Sequence, residues 1–251
     1  MSIVRFSNLK LMGKSPAHYN ARMTGPAFEP SRAMKIGSAT HRLVLGEGPG
    51  RAIVRFDGAA RRGKEWVAFE AANPTADILT APEWAEAEIL AAAVASSPAA
   101  QDVLRAARYE VPLDWEMCGM RCTTGGIDIV GGDYIADLKT AQTSEPNAFG
   151  RQAFGFSYHA QLAFYLEGAR QNGLAVDRAL VVAVESVVPH CVTVLRLAPE
   201  LLEHGAQLCR LWLERLKACM EADEWPGYAQ SPVEWALPAW LGPREESDDD
   251  A

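Results

Sequence analysis

The stretch Gly125–Thr140, GGIDIVGGDYIADLKT, decides how this chain is read. Gly131-Gly132 is a strong two-residue hairpin signal, because the favoured hairpin turns need positive φ. With that turn, Val130 pairs with Asp133, Ile129 with Tyr134 and Asp128 with Ile135. Directly opposed residues share a face of a sheet, and so do residues two apart along a strand. Asp128, Ile135, Asp137 and Lys139 therefore point the same way. Asp128 and Asp137 become diagonal neighbours, roughly 7–8 Å apart at the backbone. A four-residue loop would keep this parity, and a three-residue loop would break it. Ile127, Ile129, Tyr134, Ala136 and Leu138 form the opposite, apolar face, ready to be covered by helices.

Outward from this hairpin the pattern continues as strands over 109–117, 120–130, 133–140, 179–187 and 191–197. The first two are joined by a tight turn at Cys118-Gly119. Helices are expected after the Ser15 cap with Pro16 in the first turn, over 33–46, from Lys64 to about Ala72, over 82–96 behind Thr80, and over 98–107. Further helices are expected over 151–172 and 199–222. Residues 47–63 read as irregular. The order predicts an α/β (α+β) fold, with a central mixed sheet that contains an antiparallel meander and is flanked by helices. Without repeats or long linkers, one domain is expected over 1–242. It divides into a mainly helical N-terminal part (1–108), a core (109–222) and a C-terminal extension (223–242), followed by an acidic tail over 243–251 that reads as disordered.

The chain has 251 residues, with 49% hydrophobic and 22% charged residues, enough for a full core. No run approaches the ~18–20 apolar residues of a membrane span, and MSIVRFSNLK lacks the apolar centre of a signal peptide. Five cysteines without a framework spacing point to a reducing cytoplasm. Cys118 and Cys122 read as structural rather than as a zinc site. The net charge of −8 argues against a nucleic-acid partner until its distribution is considered. Residues 1–70 carry twelve Lys/Arg against five Asp/Glu, and phosphate contacts need only a local basic stripe.

Asp-x-Lys on a strand is an ordinary solvated pattern by itself. With an upstream aspartate of matching parity it becomes a candidate metal site. Carboxylates suit Mg²⁺, a hard cation that prefers oxygen. Such an ion can orient and acidify a water and offset charge on a phosphoryl group, while a lysine stabilises that charge or helps to deprotonate the water. Gln161 and Tyr165 lie four apart on the following helix and share a face, so both could hydrogen-bond a phosphate or the attacking water. His41, on an otherwise apolar helix, is either a satisfied core histidine or a metal ligand brought from the N-terminal part. Arg61, Arg62 and Lys64 flank a glycine at a helix start, which suits either a solvated loop or a phosphate. Arg32, Arg42 and Arg151 are further candidate backbone contacts. Simple pairing through Cys118-Gly119 puts Glu110 on the face opposite Asp128, unless a bulge at Pro112 re-aims it.

These motifs together resemble the PD-(D/E)XK nuclease superfamily, and within it the RecE-type exonucleases (exodeoxyribonuclease VIII) of phages and prophages. The similar segments are KSPAHYNAR (14–22), GSATHRLVLG (37–46), RRGKEWVAF (61–69), EVPL (110–113), GIDIV (126–130), IADLKT (135–140), YHAQLAFYLEG (158–168), DEWPGY (223–228) and LPAW (237–240). The resemblance implies a restriction-endonuclease-like core with an N-terminal helical elaboration. It implies that Asp128 and Asp137 bind catalytic metals, Mg²⁺ with Mn²⁺ as a substitute, and that His41 and Glu110 are accessory ligands. Lys139 would serve the nucleophilic water, and Gln161 and Tyr165 would complete the site. The implied activity is 5′→3′ digestion of one strand of linear duplex DNA in phage-type recombination. The implied partners are DNA ends, a single-strand annealing recombinase and copies of the chain in a ring of three or four, within a bacterial cytoplasm. Cluster-binding relatives would need further C-terminal cysteines, which Cys209 and Cys219 do not make. The competing expectations are a structure-specific or restriction-like endonuclease and a non-catalytic DNA-binding member of the fold.

Overall fold

The centre of the molecule is the long hairpin of β4 (Arg108–Met117) and β5 (Met120–Val130). In the computed structural model, which describes residues 3–236, Met117 pairs with Met120 across the turn. Cys118 and Gly119 both take positive φ, 54° and 71°, as a two-residue turn matching strand twist requires. β5 is long enough to hold three partners. One edge carries β4. The other is shared by β1 (Val4–Arg5), parallel at Cys122 and Thr123, and β6 (Tyr134–Ala141), antiparallel at Ile129 and Val130. Beyond β6 the sheet continues through parallel β7 (Arg178–Glu185) to antiparallel β8 (Val192–Arg196), making six strands.

Both faces are covered. On one, Ile129, Ala136, Leu138, Leu180, Val182 and Val184 pack with Ile36 and Ala39 of α3 (Arg32–Leu45) and with Ala87, Leu90 and Val94 of α5 (Ala81–Ser96). On the other, Val130, Ile135 and Val181 meet Phe149 of α7 (Pro146–Gly155) and Leu162 and Leu166 of α8 (Tyr158–Gln171). α9 (Pro199–Ala222) packs on α8 through Trp212, Leu213 and Leu216. The short α1 (Phe6–Leu9) is pinned into this last cluster by Phe6, whose ring lies 5.9 Å from Phe164 and 6.4 Å from Trp212. A truncation there would cost about 3–5 kcal/mol. A 3-10 turn (Lys10–Gly13) and α2 (Pro16–Thr24), capped by Ser15, complete that corner. α4 (Gly63–Ala72) and α6 (Pro98–Leu104) close the periphery.

Several expectations need correction. The β5–β6 register is shifted by two residues, as a four-residue loop gives: Val130 pairs with Ile135 rather than Asp133, and Gly131 donates its N–H to the Tyr134 carbonyl at 2.9 Å. Neither Gly131 nor Gly132 has positive φ. The Tyr134 ring is what demands a glycine at 131, since a Cβ would lie 2.2 Å from it. Ile127, placed by alternation with Ile129, instead joins the α8 side of the core next to a bulge in β5. The helix expected over 151–172 is two helices, broken where Ser157 turns left-handed (φ 61°). The 98–107 helix stops at Leu104, before Ala106 at φ 56°. The irregular stretch contains β2 (Ile53–Phe56), which pairs in parallel with β3 (Asp77–Thr80) as a separate two-stranded sheet. The motif at 237–240 and the acidic tail lie outside the described residues.

The five cysteines are free thiols, and burial pushes Cys122 and Cys209 up to about 12. No helix among the described residues is long and apolar enough to cross a membrane.

Candidate metal and active site

Two register events build the site. The first is the shifted β5–β6 register. Because the displacement is two residues, parity survives, and continuing the ladder sets Asp128 directly opposite Asp137 rather than diagonal to it. The strands then splay. The Leu138 N–H, which the ladder would give to a β5 carbonyl, goes instead to Asp128 Oδ2 at 2.9 Å. The second event lies across β5. From Val111/Ile127 to Leu113/Thr124 the chain advances two residues on β4 and three on β5, so an extra residue bulges in β5 at Gly125-Gly126. This one-residue shift sets Glu110 opposite Asp128, not on the far face. The re-aiming expected at Pro112 occurs opposite it, and Glu110 itself takes φ 51°, a conformation uncommon outside glycine.

His41 arrives from α3. Its Nδ1 lies 3.4 Å from Asp128 Oδ2. His41, Glu110 and Asp128 offer ligand atoms all within 4.8 Å of one another, and they are the one such group among the described residues. Burial, then the Asp128 carboxylate, pushes Glu110 above the usual carboxylate range. A cation there would relieve that repulsion. One imidazole with carboxylate oxygens is a donor set that suits a divalent cation.

Asp137 stands beside this trio, buried at 4% exposure. Its Oδ1 accepts from Gln161 Nε2 at 3.1 Å, and its Oδ2 pairs with the Lys139 ammonium and has no other donor. Burial raises the Asp137 carboxyl while Lys139 opposes the rise. Burial also works against the Lys139 ammonium, but Asp137 and Asp128 outweigh it and hold the lysine above its ordinary value. Gln161 Nε2 also reaches the Tyr165 hydroxyl at 3.4 Å, and burial raises that phenol. The structure thus brings together Asp128, Asp137, Lys139, Gln161, Tyr165, His41 and Glu110.

The expected DNA-contacting residues divide. Arg61 grips Glu83 with two 2.7 Å bonds and also donates to the Ile78 carbonyl. Arg32 pairs with Glu83 at 3.2 Å and Glu86 at 2.6 Å. Both guanidinium groups thus tie α5 to its neighbours while remaining partly exposed. Arg42 lines the cleft, 3.3 Å from Glu47. Arg62 and Lys64 are exposed at the start of α4, and Arg151 is exposed on α7, but none of the three lines the cleft.

Sequence reasoning passed over four contributors. Tyr158 sits in the cleft with the Lys139 nitrogen 4.7 Å from its ring centre. Phe156 lines the same cleft. The loop Gly46–Gly50 lies between the cleft and a second cavity, where Arg5, Ser7, Thr124 and Tyr165 approach Glu110 from the other side. Lys10 is held below the usual lysine value by burial and by Lys139, Lys14 and Arg22, extending positive charge outward from the site. The glycine spacing at 46, 48 and 50 and the basic N-terminus were the available signals.

A model of a PDDEXK-like domain of unknown function (DUF3799) matches residues 5–232. No curated protein matches the sequence significantly. Among solved structures, a candidate exonuclease from Eubacterium rectale superposes with a TM-score of 0.63 at 14% identity, covering 92% of this chain and 91% of that one. That likeness shows the fold, a mixed sheet flanked by helices around a PD-(D/E)XK-like core. LHK-Exo in complex with dAMP is similar at a TM-score of 0.33 and 12% identity, over 76% of this chain and 92% of that one, which is too partial a match to argue from.

Proposed function

The chain belongs to the PDDEXK-like DUF3799 family, and on that premise we propose that it is a Mg²⁺-dependent deoxyribonuclease of the RecE type. It degrades one strand of linear duplex DNA from an end, in the 5′→3′ sense, for phage-type recombination. The observation that carries this reading is the convergence of Glu110, Asp128 and His41 within 4.8 Å, beside the buried Asp137–Lys139 pair. A degenerate, purely binding member of the fold would have no need of this set. Residues 1–242 act as one nuclease domain, with 1–108 elaborating the core at 109–222 and 223–242 extending it.

His41, Glu110 and Asp128 would hold the cation, with Asp137 sharing its charge or holding a second one. When bound, such an ion acidifies water and offsets phosphate charge. The rest is the work of the side chains. Lys139 stays protonated between two carboxylates and offers Nζ to a non-bridging phosphate oxygen. Gln161 fixes Asp137 Oδ1, so that carboxylate cannot swing away. Tyr165, a neutral phenol, can donate its proton in a hydrogen bond without becoming charged. In a ring of three or four copies, as the RecE-type reading implies, the basic N-terminal side would turn toward DNA. Work on one strand suits a single-strand annealing protein as partner, in a bacterial cytoplasm.

The test is Asp137→Ala assayed with Mg²⁺, with EDTA as the blank. Metal-dependent cleavage should vanish while the circular dichroism spectrum is unchanged. Full activity in that variant would refute the site.

A further inference from the structure

The cleft, about 660 Å³, carries its ligand atoms among two exposed apolar side chains. Phe156 is 48% exposed and Met34 is 47% exposed, yet both line this cleft with His41, Asp128 and Lys139. Neither contributes to the packed core. Met34 lies on α3 two turns before His41, about 10 Å away along the helix axis. Phe156 comes from the corner between α7 and α8, where Ser157 is left-handed. Its ring is 5.7 Å from that of Tyr158, tilted by 34°, and Lys139 Nζ sits 4.7 Å from the Tyr158 ring. The Phe156 ring is thus no more than about 10.5 Å from the lysine nitrogen. A nucleotide whose phosphate meets Lys139 can bring its own base or the next one within that reach.

We infer that Phe156 is a nucleobase platform. It stacks on the base next to the scissile phosphodiester, so the enzyme accepts an end whose terminal base is unpaired from its partner strand. The inference rests on the DNA nuclease reading and adds a specificity residue to it. The chemistry matches. A flat aromatic face recognises any base without reading sequence, and a base offered to it cannot remain inside a duplex stack. Met34, also lining the cleft, adds a soft, adaptable side chain that tolerates all four bases.

The test uses duplex oligonucleotides carrying 2-aminopurine at the terminal position, bound to the full chain in Ca²⁺. Cleavage kinetics are measured in parallel in Mg²⁺. Wild type should quench the fluorophore, and Phe156→Ala should abolish quenching. The same variant should raise KM for duplex ends about tenfold or more and leave kcat within about threefold. Phe156→Trp should restore both signals. Phe156→Leu, which keeps apolar bulk, should not, and it covers the case in which the alanine variant fails to fold. Wild-type quenching and KM in Phe156→Ala, or full function in Phe156→Leu, would overturn the platform. If the wild-type chain neither binds nor cleaves DNA, the nuclease reading falls, and the platform with it. If it cleaves normally and Phe156 proves indifferent, only the platform falls.

Discussion

Gly126→Ala tests the bulge that brings Glu110 to the site without removing any ligand. A Cβ at 126 would stand 2.7 Å from Glu110 Oε2, and 3.0 and 3.1 Å from the Glu110 C and Cα atoms. Non-bonded heavy atoms settle at about 3.5–4.0 Å, so the Glu110 carboxylate must retreat by about 0.5–1 Å. Its backbone resists, because Tyr109 and Val111 on either side of it are paired with Ile129 and Ile127. Overpacking of this kind costs about 1–3 kcal/mol of stability, and a misplacement near 1 Å in a catalytic array can cost on the order of 100-fold. The expected result is a fall in kcat/KM of about 10- to 100-fold with a raised Mg²⁺ requirement. The neighbouring Gly125→Ala is the control. Its Cβ would meet only the Pro49 ring at 3.7 Å, an ordinary contact. Neither glycine has positive φ, so the backbone itself does not demand glycine at either position. Steady-state cleavage across a Mg²⁺ series, with thermal melts of both variants, reads the difference. Equal activity of the two variants, whether high or low, would refute the role given to Glu110.

Glu83 yields a pH prediction. Burial works against its carboxylate, but hydrogen bonds from Arg61 and Thr80 outweigh that and hold it at about 2, against 4.5 when free. A depressed folded pKa contributes stability above the unfolded value, about 3 kcal/mol here. That contribution is lost as pH falls from about 4.5 toward 2. Urea midpoints for Glu83→Gln should therefore lie well below wild type at pH 7 and converge with it near pH 2; a gap independent of pH would contradict this. Arg61→Ala should lower stability by about 1–3 kcal/mol and leave the slope of log DNA affinity against log salt unchanged. Arg62→Ala or Lys64→Ala should flatten that slope by about one if either touches phosphate, and an unchanged slope returns them to the solvated surface.

The central part of the site was legible because its signal has period two. A two-residue shift of the β5–β6 register moves Asp128 from diagonal to direct opposition with Asp137 without turning either to the other face. Glu110 was not legible for the same reason in reverse. One extra residue at Gly125-Gly126 reverses its face, and a pair of glycines says that a bulge is possible without saying that it occurs. The break at Phe156–Ser157 had no marker either, because a serine in the left-handed region is chosen by the packing of two helices, not by local propensity. Arg61 looked like a phosphate ligand while its carboxylate partner, Glu83, stood 22 positions away. Tertiary pairing of that kind has no period to detect. β2 and β3, four residues each, are too short to show an alternation.

The central claim is that the Glu110–Asp128–Asp137–Lys139 array hydrolyses DNA from an end. The most direct measurement is a time course with Mg²⁺ on linear duplex labelled separately at its 5′ and 3′ ends, beside covalently closed circles of the same sequence. The account predicts early release of the 5′ label as small products, retention of the 3′ label until late, and intact circles throughout. Loss of closed circles, or linear duplex left whole in Mg²⁺, would contradict it.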